Sequence, residues 1–85
     1  MAASNAAEDL RDERAVLVHL VETFPQTLRL SDLIREMGAE DFEKRDNIER
    51  AVRELVAGGL VFRCSGAVLP SRAALRAYEL LVGAA

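Results

Sequence analysis

Residues 48–70 read IERAVRELVAGGLVFRCSGAVLP, from Ile48 to Pro70. Ile48, Ala51, Val52 and Leu55 recur at i, i+3, i+4 and i+7, the spacing of one apolar helical face. Gly58-Gly59 ends that helix. Leu60-Val61-Phe62-Arg63-Cys64 is rich in strand-forming residues, and Ala67-Val68-Leu69 repeats the character after Ser65-Gly66, a two-residue hairpin turn. Pro70 closes the second strand, which is tolerable at a sheet edge. The stretch is thus a helix running through a glycine step into a β-hairpin.

Upstream, Asp46-Asn47-Ile48-Glu49 has the form of a helix cap, which predicts a start near Asp46. Ala39 to Arg45 is read as a polar turn anchored by Phe42. Ser31 is expected to cap a short helix carrying Leu33, Ile34 and Met37, with Gly38 just past its end. Thr27-Leu28-Arg29-Leu30 alternates as a very short strand. A first helix, capped by Asn5 or Asp9, carries Leu10, Leu17, Leu20, Val21 and Phe24 on one face and stops before Pro25. Val16 and Val18 widen its apolar arc beyond that of an ordinary surface helix, so the helix is packed on two sides, by the fold or by a partner. Downstream, Ser71 caps a last helix with Leu75, Tyr78 and Val82 on one face. Tyr78, Leu81 and Val82 are expected to close the core, while Leu80 projects off it. The expected order is α-β-α-α-β-β-α, an α+β fold, mainly α. Residues 1–8 are expected to be a flexible lead-in and 9–83 the folded domain.

This order, with a tight helix pair before a hairpin, resembles the winged helix-turn-helix fold. The resemblance is carried by Ile48-Glu49-Arg50-Ala51-Val52-Arg53-Glu54-Leu55-Val56-Ala57-Gly58-Gly59-Leu60-Val61, which is similar to the end of the recognition helix and the step into the wing in bacterial winged-helix regulators. It covers roughly residues 10–83. Leu69 to Arg76 looks like the corresponding tail of small actinobacterial proteins. The resemblance implies a DNA-binding transcriptional regulator whose third helix enters the major groove while the hairpin touches the backbone.

On about 100° per residue, Arg50 and Arg53 lie opposite the core stripe, placed to reach guanine edges or phosphates, with Asn47 suited to adenine and Glu49 beside them. Lys44 and Arg45 in the turn, Arg63 on the wing and Ser65 at its tip are the further contact candidates. Against this, Asp46–Arg50, Glu49–Arg53 and Arg50–Glu54 are i, i+4 pairs of the sort that an ordinary solvated helix carries.

The 85 residues allow one domain, and a net charge of −3 argues against indiscriminate nucleic-acid binding. The charge is uneven: residues 1–43 balance to −6 and residues 44–76 to +4. Ten Arg against one Lys, with fourteen Ala, is the bias of GC-rich codons. Half the residues are hydrophobic, enough for a core, yet no window approaches the roughly 18 apolar residues of a membrane span, and the start has no signal-peptide pattern. A single cysteine, Cys64, excludes an internal disulfide and supplies no metal set. These features predict a cytoplasmic protein. No nucleophile–base–acid set, metal-ligand spacing or phosphate-cradling loop occurs, so neither an enzyme nor a cofactor is expected. His19 is read as solvent-facing. Two functions remain open: a DNA-binding regulator, expected to be a homodimer on a palindromic site, or a winged-helix module that binds another protein and no DNA. The wide arc of the first helix and Leu80 on the last motivate the homodimer.

Overall fold

The helix that carries the fold begins one turn earlier than its sequence pattern suggests. In a computed structural model describing residues 6–83, this helix, α3, spans Phe42–Ala57. Asp41 is its N-cap, the side chain accepting the Lys44 amide at 2.8 Å, and the Arg45 amide donates to the Asp41 carbonyl at 3.1 Å. Two cap sequences compete here. The Asp41 cap prevails because each added helical residue closes a further backbone hydrogen bond. Lys44 and Arg45 therefore stand in the first turn of α3, not in a polar loop. Phe42 is no anchor, being 84% exposed; Ala39, buried, fills the core beneath that turn instead.

Before it come α1 (Ala6–Thr23), the two-residue strand β1 (Leu28–Arg29) and α2 (Leu30–Glu36); after it come β2 (Val61–Cys64), β3 (Ala67–Pro70) and α4 (Arg72–Tyr78), which continues as a π-helical turn over Glu79–Gly83. The fold is α+β, mainly helical, with a small three-stranded antiparallel sheet. α1 already includes Ala6–Glu8, and Asn5 of the expected cap lies outside the described residues.

Both helices of the central pair end alike. After α2, Gly38 and Ala39 donate to the carbonyls of Arg35 and Ile34; after α3, Gly59 and Leu60 donate to those of Val56 and Leu55. This double bond closes the orphan carbonyls of a helix end and requires a left-handed residue, and Gly59 meets it at φ +82°. It also drops an apolar residue, Ala39 or Leu60, onto the helix just finished; Ala39 joins the core, and Leu60 packs against it.

In the hairpin, Ser65 and Gly66 have φ of +52° and +86°, the pairing of a turn with both central residues left-handed, and Cys64 faces Ala67 across it. The strand order is β1-β3-β2, so β3 is central and Pro70 is not on an edge strand as expected. Pro70 is tolerated because β1 pairs only as far as Leu28↔Val68 and Arg29↔Ala67 and never reaches it.

The core gathers Val16 and Leu20 of α1, Leu33 and Ile34 of α2, Ile48, Ala51, Val52 and Leu55 of α3, and Leu28, Val61 and Val68 of the sheet. The apolar face expected of α3 is thus the buried one. On α1 the buried line is Val16, Leu20 and Val21, whereas Leu10 and Phe24, expected on the core face, are 65% and 43% exposed. The wide arc has an internal explanation. α3 and the sheet take one side, and α4 comes against the other, with Val21 and Ala74 buried outside the main cluster and the Tyr78 hydroxyl donating to Glu22 at 2.6 Å. That hydrogen bond to the Glu22 carboxylate raises the Tyr78 pKa above its ordinary 10.0.

Ser71 caps α4 as expected, its hydroxyl accepting the Ala74 amide at 3.1 Å. The far end of the helix departs from expectation: Leu81 and Val82 are 83% and 64% exposed and do not close the core. The α-helical period that would bring Val82 under Tyr78 fails here because the chain widens to π spacing from Glu79.

α2 is capped from within and not by Ser31, which sits in its first turn. Arg29 is the N-cap residue, and the Asp32 carboxylate accepts its amide at 3.3 Å and the Arg35 guanidinium at 2.8 Å. Arg35 first, and then the Arg29 amide, hold the Asp32 carboxyl below its ordinary 3.8. A depressed folded-state pKa contributes stability that is present above the unfolded value and lost as pH falls through the folded one. Asp32→Asn is therefore expected to lower Tm at neutral pH, with the gap to the parent closing below about pH 3.8. Thermal unfolding from pH 7 to about 2 checks this; a gap constant with pH would mean that the charge of Asp32 plays no part.

Candidate nucleic-acid interface

The candidate residues fall on two sides of α3 and on the hairpin. Arg45 and Arg53 are exposed, and among the described residues neither makes an ion pair. Arg45 lies next to α2, sharing a shallow depression with Ser31, Arg35 and Glu40 and another with Phe42, Asp46 and Glu49. Glu49 is half-buried. Lys44 is exposed beside Met37 and Gly38 at the helix start. On β2, Arg63 is exposed, and Ser65 sits exposed at the turn.

The other side of α3 faces α1. Arg50, expected on the outward ridge, and Asn47, expected at its side, line a groove of about 280 Å³ with Asp9, Asp12, Glu13 and Glu54. Arg50 Nη2 bonds Asp46 at 2.9 Å, and Nη1 lies 3.6 Å from Asp9 of α1. Of the four i, i+4 pairs of opposite charge on α3, which now include Arg45–Glu49, only Asp46–Arg50 forms among the described residues. The reason that Arg50 turns inward is electrostatic. Asp9, Asp12 and Glu13 recur at i, i+3 and i+4, so α1 carries an acidic stripe along the edge where it meets α3. That spacing was visible in the sequence; what it faces was not.

Two residues outside the expected set stand beside the surface. Arg35 borders the depression that holds Arg45, although Asp32 already binds it. Phe42 presents an aromatic ring to solvent at the start of α3. His19 is not on the solvent side: it is half-buried, with Nε2 2.8 Å from the Glu36 carboxylate at the end of α2. Cys64 is exposed at the end of β2. Among the described residues no group of three His, Cys, Asp or Glu side chains is arranged to hold a metal ion, and no helix is long and apolar enough to cross a membrane.

Compared with known proteins, the chain matches no family model, no curated protein and no solved structure.

Proposed function

We propose that the chain is a winged-helix domain that binds duplex DNA as a transcriptional regulator in the cytoplasm, with α3 as recognition helix and β2–β3 as wing. The observation that carries this reading is the set of exposed guanidiniums at Arg45, Arg53 and Arg63, free of ion pairs among the described residues, on the helix and hairpin that such a domain turns toward DNA. Arg45 and Arg53 lie away from the acidic groove and reach the major groove. Arg63, Lys44 and Ser65 hold phosphate. Asn47 and Arg50 are left out of the interface because they face α1. A two-fold dimer on a palindromic site belongs to the reading, and Leu80, Leu81 and Val82, all exposed, are the surface that motivates it now that α4 covers part of the α1 arc.

A second reading, a module that binds another protein and no DNA, is favoured by one observation. α3 carries four basic residues (Lys44, Arg45, Arg50, Arg53) against four acidic ones (Glu43, Asp46, Glu49, Glu54), and its most exposed large hydrophobic side chain is Phe42. Binding to labelled duplex DNA, measured at low and high salt, separates the two. The DNA reading expects affinity that falls linearly in log salt and, by sedimentation, a dimer. No binding at low salt removes it and leaves the protein-binding module.

A further inference from the structure

The geometry points to Asp9 as a positioning residue that withholds Arg50 from DNA, an autoinhibitory contact between α1 and the recognition helix. This inference rests on the DNA-binding reading. Arg50 springs from the outward side of α3, roughly 200° round from Ile48 and within about 60° of Arg53. Its backbone position alone would let the side chain join Arg53 on the surface. The guanidinium instead spans Asp46 at 2.9 Å and Asp9 at 3.6 Å, in a groove where Asp12, Glu13 and Glu54 are the other charged groups. Two carboxylates thus hold the guanidinium, and three more line the groove around it. Asp46 is on α3 itself and travels with Arg50 wherever the helix goes. Asp9 is on α1, and it draws the side chain off the outward face.

Counterion release explains why this matters for binding. An arginine that reaches a phosphate from open solvent frees a condensed cation from the DNA and strengthens binding. An arginine that must first leave a carboxylate gains less, because it strands that carboxylate next to a polyanion. Arg50 in its observed position therefore adds nothing to the salt dependence. Neutralising Asp9 removes the one α1 carboxylate within ion-pair distance and leaves Asp46, an exposed i, i+4 partner of weak hold, as the remaining direct pair, which lets Arg50 turn outward.

The test is a double-mutant cycle of the full chain: parent, Asp9→Asn, Arg50→Ala and the double variant, each titrated with duplex DNA across a salt series. Asp9 is 47% exposed at its side chain and Arg50 43%, so neither substitution endangers the core. Arg50→Ala is expected to bind within about twofold of the parent with the same salt slope. Asp9→Asn should bind about twofold to fivefold tighter at low salt, the worth of an exposed ion pair, with a slope steeper by about 0.9, one more phosphate contact. The double variant should return to the parent. If the gain from Asp9→Asn persists without Arg50, the acidic stripe acts only through its field and the positioning role is overturned. An unchanged Asp9→Asn overturns it too, as does an Arg50→Ala as damaging as Arg53→Ala. Absence of binding by all four proteins is a different result: it removes the DNA-binding reading, and the inference with it.

Discussion

Leu33→Ala is expected to lower the unfolding free energy by about 2–5 kcal/mol, the cost of truncating a large core side chain and leaving its cavity. Leu33 is 0% exposed, and with Ile34 it is one of only two buried residues on α2. A seven-residue helix is far below the length at which helices persist alone, so α2 is ordered by this burial and by its termini. Removing the Leu33 side chain thus loosens the first helix of the central pair and, with it, the footing of Arg45 beside α2. Domains of this size have total stabilities of about 5–15 kcal/mol, so the variant stands near the edge of folding. Urea denaturation reads the effect as a fall in midpoint at unchanged slope. Leu55→Ala, at 4% exposed on α3, belongs to the same class. Leu10→Ala is the control: the side chain is 65% exposed, and its loss should change stability by no more than about 0.5 kcal/mol. A loss below about 1 kcal/mol for Leu33→Ala would place α2 outside the core.

Under the proposed DNA-binding function, Arg53→Ala and Arg63→Ala are expected to weaken binding in different ways. Arg53 stands on the exposed ridge of α3, where a bidentate contact to a guanine edge is worth about 1–3 kcal/mol and its loss relaxes preference at one base position. Arg63 lies on the hairpin, where a phosphate contact is blind to sequence. Its loss should weaken specific and scrambled duplexes alike and flatten the salt slope by about 0.9. Isotherms for both variants on both duplexes distinguish the cases. Identical losses everywhere would strip Arg53 of base reading. The choice of Arg53 over Arg50 as the sensitive position comes from the structure, since Arg50 is engaged by Asp46 and Asp9 and Arg53 by neither.

Local patterns in the chain were sound guides to the elements. The i, i+3, i+4, i+7 run from Ile48 to Leu55 is the buried face of α3, Ser65-Gly66 turns the hairpin, and Ser71 caps α4. Each of these is decided within a few residues, by periodicity, by a left-handed backbone or by one side-chain oxygen, so neighbours in sequence suffice to read it. The misreadings share a different origin. Asp41 and Asp46 are both good caps, and Phe42 looked like an anchor because aromatic residues usually are. The choice depended on whether Ala39 or Phe42 would lie over the core, which is a question about α2 packing on α3. Val82 missed the core because the last turn widens, and Leu10 because α1 meets α3 there through Asp9, Asp12 and Glu13 instead.

The candidate site divides along the same line. Which side chains carry charge, and which of them share a face of α3, follows from the sequence through the helical repeat. Which of those charges are available does not, because availability is set by groups distant in the chain. Asp9 stands 41 positions before Arg50, and nothing between them in sequence says that they meet. Side-chain electrostatics act over a few ångströms of space, so the partner of a surface arginine is known only once α1 has been laid along α3.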